Sequence, residues 1–282
     1  MSDQRMIADI VLAVSAVTDT GLKRAANEDS FLAETPVFLV ADGMGGYEAG
    51  NLASAAVVEA FRASVTGPAY PTLEHVRLAL VSADARVAEV ARGTSRGAGS
   101  TVTGVVLVEH EGAPHWLVFN VGDSRVYRHD GSDLEQLTTD HSLGQELIEK
   151  GQLRREDLNS YSDRNVITRA IGATHSQADS WLMPVTNGER IMICSDGLSS
   201  EVTDEAIRAI LTMSGRTETA ATALVRRAKE NGGRDNITVI VLDVVSGGGT
   251  VHGEFTAGAV LLTDYPVDNE TTIPLGLEVR GA

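Results

Sequence analysis

The chain has 282 residues, of which 43% are hydrophobic and 22% are charged, a composition typical of a soluble globular protein with a sizeable core. Its 39 acidic and 23 basic residues give a net charge of -16, which disfavours nucleic acid and membrane surfaces as partners because both carry negative charge. The single cysteine, Cys194, excludes an intrachain disulfide and fits a reducing compartment. We expect a cytoplasmic protein, without a signal peptide over residues 1–9 and without a membrane-spanning segment.

The first half of the chain alternates strand-like runs with two amphipathic helices. Apolar and β-branched runs predict strands over residues 7–17, 31–33 and 37–41. Small apolar residues recur at steps of three and four over residues 49–65, and apolar residues do so again over 73–92, which predicts two helices. The run at 37–41 is unbroken, as expected of a strand buried on both faces.

The second half contains further strands, further helices and a long polar insertion over residues 138–163. Insertions of this length are often functional. Its predicted strands cover residues 101–108, 116–121, 126–127, 165–170, 190–195 and 237–245, and its predicted helices cover 143–150, 203–213 and 218–230. Three consecutive glycines at 247–249 predict a flexible linker. We therefore place the folded domain at residues 1–245 and a flexible tail at 246–282.

Aspartates recur where the predicted strands end. Asp42, Asp123 and Asp196 each follow an apolar run, and Asp235 lies in the loop before the last one. Singly, each aspartate is also an ordinary turn or cap residue. Gathered at one edge, two such charges ~4 Å apart at an effective dielectric of about 20 cost roughly 4 kcal/mol per pair. The cluster must then either protonate or bind a cation, and all-oxygen ligands select Mg²⁺ or Mn²⁺ over Zn²⁺.

A phosphate-binding cation would complete such a centre. Two divalent ions ~3.5–4 Å apart activate a water and neutralise phosphate charge. The planar fork of an arginine suits the phosphoryl oxygens, and Arg24, four residues before Glu28, is the candidate. An arginine is also an ordinary surface charge, so Arg24 supports this interpretation only together with the aspartates.

Eight short motifs follow one another along residues 7–245: Arg24-x-x-Asn27-Glu28-Asp29-Ser30, Asp42-Gly43-Met44-Gly45-Gly46, Gly99-Ser100-Thr101, Gly122-Asp123-Ser124-Arg125, Asp140-His141-Ser142-Leu143, Arg164-Asn165-Val166-Ile167-Thr168-Arg169-Ala170, Cys194-Ser195-Asp196-Gly197-Leu198 and Arg234-Asp235-Asn236-Ile237-Thr238. In content and order they resemble the metal-dependent Ser/Thr protein phosphatases, the PPM or protein phosphatase 2C-type family. The likeness is to its bacterial branch. Each motif is weak alone, and the eight in order are specific.

The resemblance implies a fold and a metal centre. The fold is α+β, a four-layer α-β-β-α sandwich with two central antiparallel sheets flanked by helices. Two Mn²⁺ or Mg²⁺ ions would be bridged by Asp42, with the Gly43 carbonyl on one of them. Asp196 and Asp235 would complete the first ion, and Asp123 would share a third ion with Asp196, as in many bacterial members.

Four further residues receive roles from the resemblance. Glu28 would act on the second ion through water, and Asp29 would orient bound water. Arg24 would hold the phosphate. Ser160, in the polar insertion, would add a ligand to the third ion.

One position departs from the animal members of the family, which carry a histidine after Asp-Gly as the proposed general acid. This chain has Met44, whose thioether cannot donate a proton. The proton for the leaving group would then come from metal-bound water. His141 is the alternative donor, although a structural role is expected for it. Cys194 lies within an apolar run and is expected to be buried packing rather than a nucleophile.

The function implied is hydrolysis of phosphoserine and phosphothreonine on proteins by direct attack of metal-activated water, opposing bacterial Ser/Thr kinases. A monomer is expected, with phosphorylated proteins, such as the kinases or their targets, as partners. Two alternatives stay open: an inactive phosphatase-like module that binds phosphoproteins, and a stress-signalling phosphatase acting on a small anti-sigma-antagonist protein. In the tail, Thr271 and Thr272 follow acidic residues and resemble kinase sites. A phosphothreonine-binding partner is one hypothesis for them, and a solvated linker end is the alternative.

Overall fold

The computed structural model of the protein describes residues 3–45, 48–67, 70–94, 97–250 and 258–259. The strands are β1 (Asp3–Ile7), β2 (Ile10–Asp19), β3 (Asp29–Glu34), β4 (Val37–Met44), β5 (Gly99–Ser100), β6 (Val102–His110), β7 (Ala113–Val121), β8 (Arg125–Asp130), β9 (Asp133–Gln136), β10 (Asp179–Pro184), β11 (Arg190–Cys194), β12 (Ile237–Ser246) and β13 (Gly258–Ala259). The helices are α1 (Glu48–Val65), α2 (Leu73–Arg92), α3 (Leu143–Glu149), α4 (Asp196–Ser199), α5 (Asp204–Met213) and α6 (Thr217–Asn231), with a 3-10 helix at Arg155–Ser160.

The strands form two antiparallel sheets within the described residues. The front sheet has the order β13-β10-β7-β6-β4-β3, with β5 paired to the end of β4, and the back sheet has the order β1-β2-β12-β11-β8-β9. Each strand pair within them is antiparallel, including the central pairs β6–β7 and β11–β12. None of the described helices is long and apolar enough to cross a membrane.

Three apolar clusters divide the molecule into four layers. The first packs α1 and α2 on the front sheet, the second lies between the sheets, and the third packs α4, α5 and α6 on the back sheet. This arrangement confirms the predicted α-β-β-α sandwich. The two-residue side-chain period of a strand explains how one sheet serves two clusters.

Strand β4 illustrates that period. Val37, Leu39 and Ala41 belong to the helix-facing cluster, whereas Phe38 and Val40 face the other sheet. All five residues are fully buried, as predicted from the unbroken apolar run. The strand continues to Met44 because Gly43 and Met44 pair with Ser100 and Gly99 of β5.

Helix α2 coincides with its predicted bounds, 73–92. Its start is set by Thr72, which forms a capping box with His75: Thr72 Oγ1 accepts from the His75 N–H, and His75 Nδ1 accepts from the Thr72 N–H at 3.0 Å. The observed α1, α5 and α6 also lie within one or two residues of their predicted ranges.

Two strand predictions were wrong, and one strand of the front sheet was not predicted. The predicted first strand at 7–17 is a hairpin of β1 and β2, and its turn places Ala8 at φ 47. Residues 165–170 form only an isolated bridge, between Ile167 and Ser142, because their backbone bonds to the start of the insertion instead of to a strand. Strand β10 was missed, because its central Trp181, Leu182 and Met183 form too short an apolar run.

The chain beyond 245 continues along the domain as far as it is described. Strand β12 ends at Ser246, and the expected flexible linker is packed: the Gly249 N–H donates to the Val185 carbonyl at 2.8 Å. Gly247 has φ +93, and a Cβ there would lie 2.0 Å from the Asp9 carbonyl oxygen, so close approach explains this glycine. Thr271 and Thr272 lie outside the described residues.

Candidate metal centre

The front sheet contributes the first group of acidic residues. Asp29 of β3 pairs with Asp42 of β4 in the ladder, and the Gly43 N–H donates to the Glu28 carbonyl at 3.2 Å. Thr101 holds Asp42 in place: the Asp42 N–H donates to Thr101 Oγ1, and the Thr101 N–H donates to the Asp42 carbonyl, both at 2.9 Å. Strand pairing therefore brings Glu28, Asp29 and Asp42 to one end of the sandwich.

The back sheet contributes Asp196 and Asp235 at the same end. Asp196 begins α4 directly after β11, and Asp235 precedes β12, the neighbouring strand. The two segments touch at Gly197, where a Cβ would lie 1.9 Å from the Asn236 carbonyl oxygen. Only glycine fits between these loops without moving a backbone.

Asp29 ties the two sheets together. Its Oδ2 accepts hydrogen bonds from Ser195 Oγ at 2.8 Å and from Thr238 Oγ1 at 2.7 Å, both on the back sheet. Asp29 is only 8% exposed, and its Oδ1 faces the interior without a partner. One carboxylate oxygen thus fixes the side chain and leaves the other free for a ligand.

Burial, and after it mutual repulsion, raises the pKa values of the clustered carboxyls. Desolvation raises the pKa of Asp42 well above its usual value, and the charges of Asp29, Asp196, Asp123 and Asp235 raise it further. Part of the Asp42 residue is accessible to solvent, but dense protein around its carboxylate removes most of its hydration. Burial likewise raises the pKa of Asp29 to about 7 and that of Asp196 to about 6. These side chains are therefore close enough to interact, as the sequence predicted.

Several buried carboxylate oxygens of the cluster accept no hydrogen bond from the described residues, which indicates a site for a cation. Four such atoms have no hydrogen-bond partner among the described residues: Glu28 Oε1, Asp29 Oδ1, Asp123 Oδ1 and Asp196 Oδ1. Leaving a buried charged oxygen unsatisfied is costly. An all-oxygen, multiply charged donor set fits hard divalent cations such as Mn²⁺ or Mg²⁺.

The described acidic side chains do not adopt the orientations that would make them ligands of one metal ion. Within the described residues, no three acidic, histidine or cysteine side chains converge as ligands of one ion. Asp235 is turned toward Arg24, whose NH2 group lies 2.6 Å from Asp235 Oδ2. Binding of a cation by Asp235 would therefore compete with this ion pair to Arg24, whose side chain is half exposed.

Asp123 lies beside Asp196 at the far side of the cluster. It is 7% exposed, and burial followed by the charges of Asp196 and Asp140 raises its pKa well above the usual value. Ser160, predicted to share an ion with Asp123, is exposed on the 3-10 helix, and its hydroxyl donates to the Asp157 carbonyl at 2.7 Å. No described contact joins Ser160 to Asp123, so the structure does not bring this residue to the cluster.

The candidate proton donors are not available for chemistry. His141 is 4% exposed and both its ring nitrogens are engaged, with Gly122 and Asp179. Met44 packs near Gly99, as expected of a filler. Cys194 is fully buried, and desolvation raises the pKa of its thiol to about 12, which leaves it protonated and inert.

Two residues that support the site received no role from the sequence, and only Asn236 of the two stands in a quoted motif. Asn236 holds the connection between β2 and β3 at three points: its Oδ1 accepts from the Glu28 N–H, and its Nδ2 donates to the carbonyls of Thr20 and Ala26, all at 2.9 Å. Glu201, with a 1% exposed side chain, accepts three hydrogen bonds from Arg234 and so fixes the loop before Asp235. The Asn after Asp235 is a signal in the sequence, whereas Glu201 has none.

A glycine substitution tests the close packing of this site. In Gly43→Ala the Cβ would lie 2.0 Å from the Gly50 carbonyl oxygen, so we expect the free energy of unfolding to fall by roughly 3 kcal/mol. Gly215→Ala, which meets nothing within 4 Å, is the matched control and should change it by no more than about 1 kcal/mol. Urea denaturation of both variants decides, and equal stability would contradict the packing.

The fold and the carboxylate cluster define a class: a four-layer sandwich with an acidic site at one end of both sheets. A sequence profile described as Protein phosphatase 2C matches residues 23–237. The chain therefore belongs to the protein phosphatase 2C family.

Named relatives agree with this assignment. Serine/threonine protein phosphatase PstP of Mycobacterium tuberculosis is 33% identical over 240 residues, which cover 84% of this chain and 46% of that protein. The chain thus spans about half the length of that relative. Protein phosphatase PhpP of Streptococcus pneumoniae is 31% identical over 248 residues, covering 83% of this chain and 98% of that protein.

Solved structures give the same result. The crystal structure of M. tuberculosis PstP superposes with a TM-score of 0.76 at 30% identity, covering 84% of this chain and all of that one. The catalytic domain of PstP, crystallised in complex with two manganese ions, superposes with a TM-score of 0.75 at 31% identity and the same coverage.

Proposed function

We propose that the chain is a metal-dependent protein-serine/threonine phosphatase that uses Mn²⁺ or Mg²⁺. The observation that carries the proposal is the gathering of carboxylates from both sheets with buried, unpartnered oxygens at one site. Family membership and the manganese-bound relative support the same conclusion. A third ion beside Asp123 is part of the proposal, and Ser160 is not needed for it.

The residues divide the work as follows. Asp42, the Gly43 carbonyl, Asp196 and Asp235 would hold two divalent cations. Such cations supply an activated water nucleophile and neutralise phosphate charge. Glu28 and Asp29 would position water at this site, and Ser195 and Thr238 fix Asp29 so that its free Oδ1 points inward.

Arg24 would bind the substrate phosphate after leaving Asp235. Its guanidinium offers two parallel donors to phosphoryl oxygens, which a point charge does not. Because Met44 cannot donate a proton and His141 is engaged at both nitrogens, we propose that the alcohol leaving group is protonated by water rather than by a side chain.

The expected partners are phosphorylated proteins, and we propose that the enzyme opposes Ser/Thr kinases in the cytoplasm. Similarity to Ser/Thr phosphatases supports the substrate class. The buried free thiol of Cys194 is compatible with a reducing compartment.

Peptide hydrolysis tests the proposal. Matched peptides carrying phosphothreonine, phosphoserine or phosphotyrosine are incubated with chelator-stripped protein, with and without Mn²⁺. We expect phosphate release from the first two only when Mn²⁺ is present. Release that persists in chelator contradicts the mechanism, and binding of phosphopeptide without any release would favour the inactive binding module.

Arg24→Ala tests both partners proposed for this residue, Asp235 and the substrate phosphate. We expect the KM for phosphopeptides to rise about tenfold, since a charged hydrogen bond contributes ~1.5–3 kcal/mol. We also expect Mn²⁺ to bind two- to fivefold more tightly, as loss of an exposed ion pair worth about 1 kcal/mol or less removes a competing cation.

Calorimetry and steady-state kinetics measure both quantities for Arg24→Ala. Arg86→Ala, an exposed arginine on α2, serves as the control and should change neither. Unchanged KM with weaker Mn²⁺ binding would contradict both roles of Arg24.

A further inference from the structure

The polar insertion, taken together with residues 164–168 that follow it, is closed at its base by backbone pairing. Ser142 and Ile167 form an antiparallel bridge, and the Leu143 N–H donates to the Val166 carbonyl at 2.8 Å. The Thr168 N–H donates to the His141 carbonyl at 2.9 Å, one step closer to the sandwich. The base of the insertion, residues 141–143 and 166–168, therefore meets the body of the protein at His141.

The His141 ring makes one contact in each direction. The Gly122 N–H donates to Nδ1 at 3.1 Å, so Nδ1 carries no proton, and the neutral ring must carry it on Nε2. Nε2–H then donates to Asp179 Oδ2 at 3.1 Å, while Asp179 Oδ1 accepts from Arg169 NH1 at 2.9 Å. Arg169 lies just beyond the base of the insertion, so this side of the ring holds the returning chain.

The other side of the ring holds the loop that carries Asp123. The Gly122 carbonyl accepts from the His141 N–H at 2.9 Å and from Asn120 Nδ2 at 3.0 Å. Gly122 has φ +111, and a Cβ there would lie 2.5 Å from Thr101 Cγ2. Gly122 therefore contacts Thr101, the residue whose hydroxyl accepts from the Asp42 N–H and so fixes the backbone of Asp42.

We propose that His141 is a positioning residue that couples the insertion to the Asp123 loop, with Nδ1 serving the loop and Nε2 serving the insertion. The expected effect on Mn²⁺ binding rests on the proposed function, whereas the coupling between the two segments does not. Order in one segment stabilises order in the other, since both depend on the orientation of a single buried ring. Linkage then requires that a cation bound at Asp123 also steadies the insertion.

Two conservative variants separate the two contacts. His141→Asn places an amide oxygen near the position of Nδ1 but does not reach Asp179, whereas His141→Gln reaches Asp179 but leaves the Gly122 N–H unpaired. Hydrogen exchange of the chelator-stripped proteins reads out each segment without any metal. We expect faster exchange over residues 142–168 in His141→Asn and over 119–125 in His141→Gln.

Calorimetry with Mn²⁺ adds a second measurement. If His141 were only structural, both variants would change the Mn²⁺ affinity to the same extent. We expect His141→Gln to bind Mn²⁺ about tenfold more weakly, the size of effect typical of residues that orient metal ligands. His141→Asn keeps the loop contact and loses only the support of the ordered insertion, so it should weaken Mn²⁺ binding by no more than about twofold. His175→Asn, an exposed histidine beyond the insertion, is the control and should change neither measurement.

Exchange rates in both segments that match those of the wild type for both variants would overturn the proposal. Faster exchange of the same size in both segments for both variants would overturn it as well. Wild-type protein that binds no Mn²⁺ and hydrolyses no phosphopeptide would refute the proposed function. In that case the segment-specific exchange of the two variants still decides whether His141 couples the insertion to the loop.

Discussion

Asp42→Asn is expected to abolish metal-dependent hydrolysis and, in chelator, to make the protein more stable. The amide keeps the shape of the side chain but removes a carboxyl that, buried beside four others, must take up a proton or bear their repulsion when the protein folds. Loss of the central cation ligand should lower kcat/KM by at least about a thousandfold, or ~4 kcal/mol of transition-state stabilisation. Opposite signs for activity and stability distinguish a functional charge from a structural one.

Initial rates with Mn²⁺ and urea denaturation in chelator measure the two effects of Asp42→Asn. Asp133→Asn, an exposed aspartate of β9, is the matched control and should leave both unchanged. Retention of full activity would contradict the account, and so would a metal-free Asp42→Asn protein less stable than wild type.

The second large effect is a fall in the stability of the metal-free protein as the pH rises from about 4 to 7. Asp29 has a folded-state pKa of about 7 and Asp196 of about 6, whereas the unfolded chain has the ordinary value of 3.8. The folded protein therefore binds more protons in this interval, so raising the pH favours unfolding. Asp29 contributes roughly 4 kcal/mol and Asp196 roughly 3 kcal/mol, each present below pH 4 and lost once its folded-state pKa is passed.

Divalent cations should reverse that loss. Mn²⁺ at about a thousand times its Kd adds ~4 kcal/mol to the native state and requires ionised carboxylates, so its benefit grows toward pH 8. Urea denaturation at pH 5, 6, 7 and 8, with chelator or with Mn²⁺, measures both curves. A chelated protein that becomes more stable between pH 5 and 8 would contradict the ionisation assigned to Asp29 and Asp196.

The sequence predicted those helices and strands whose formation depends on the pattern of residues within the segment itself. The unbroken run of β4 and the three-and-four spacing of α2 are visible in a single segment, and both lie as predicted. Residues 165–170 have strand-like composition, but the backbone of Thr168 bonds to His141 across the insertion. Such a partner is set by tertiary structure, which composition does not encode.

The same limit applies to the site. Asp42, Asp196 and Asp235 were predicted to lie at one edge because strand ends and glycines repeat around them, and their role as metal ligands stays a prediction. Their supports could not, since the Ser195 hydroxyl that holds Asp29 comes from a different sheet, 166 positions along the chain. The Arg24–Asp235 pair was likewise invisible, because 211 positions separate the two residues.

The central claim is that distant carboxylates converge to bind divalent cations, and an anomalous-difference map from a crystal grown with Mn²⁺ tests it most directly. We expect manganese peaks in contact with Asp42, Asp196 and Asp235, with Arg24 displaced from Asp235. Manganese bound only elsewhere on the molecule, with the 2.6 Å Arg24–Asp235 contact intact, would contradict the account.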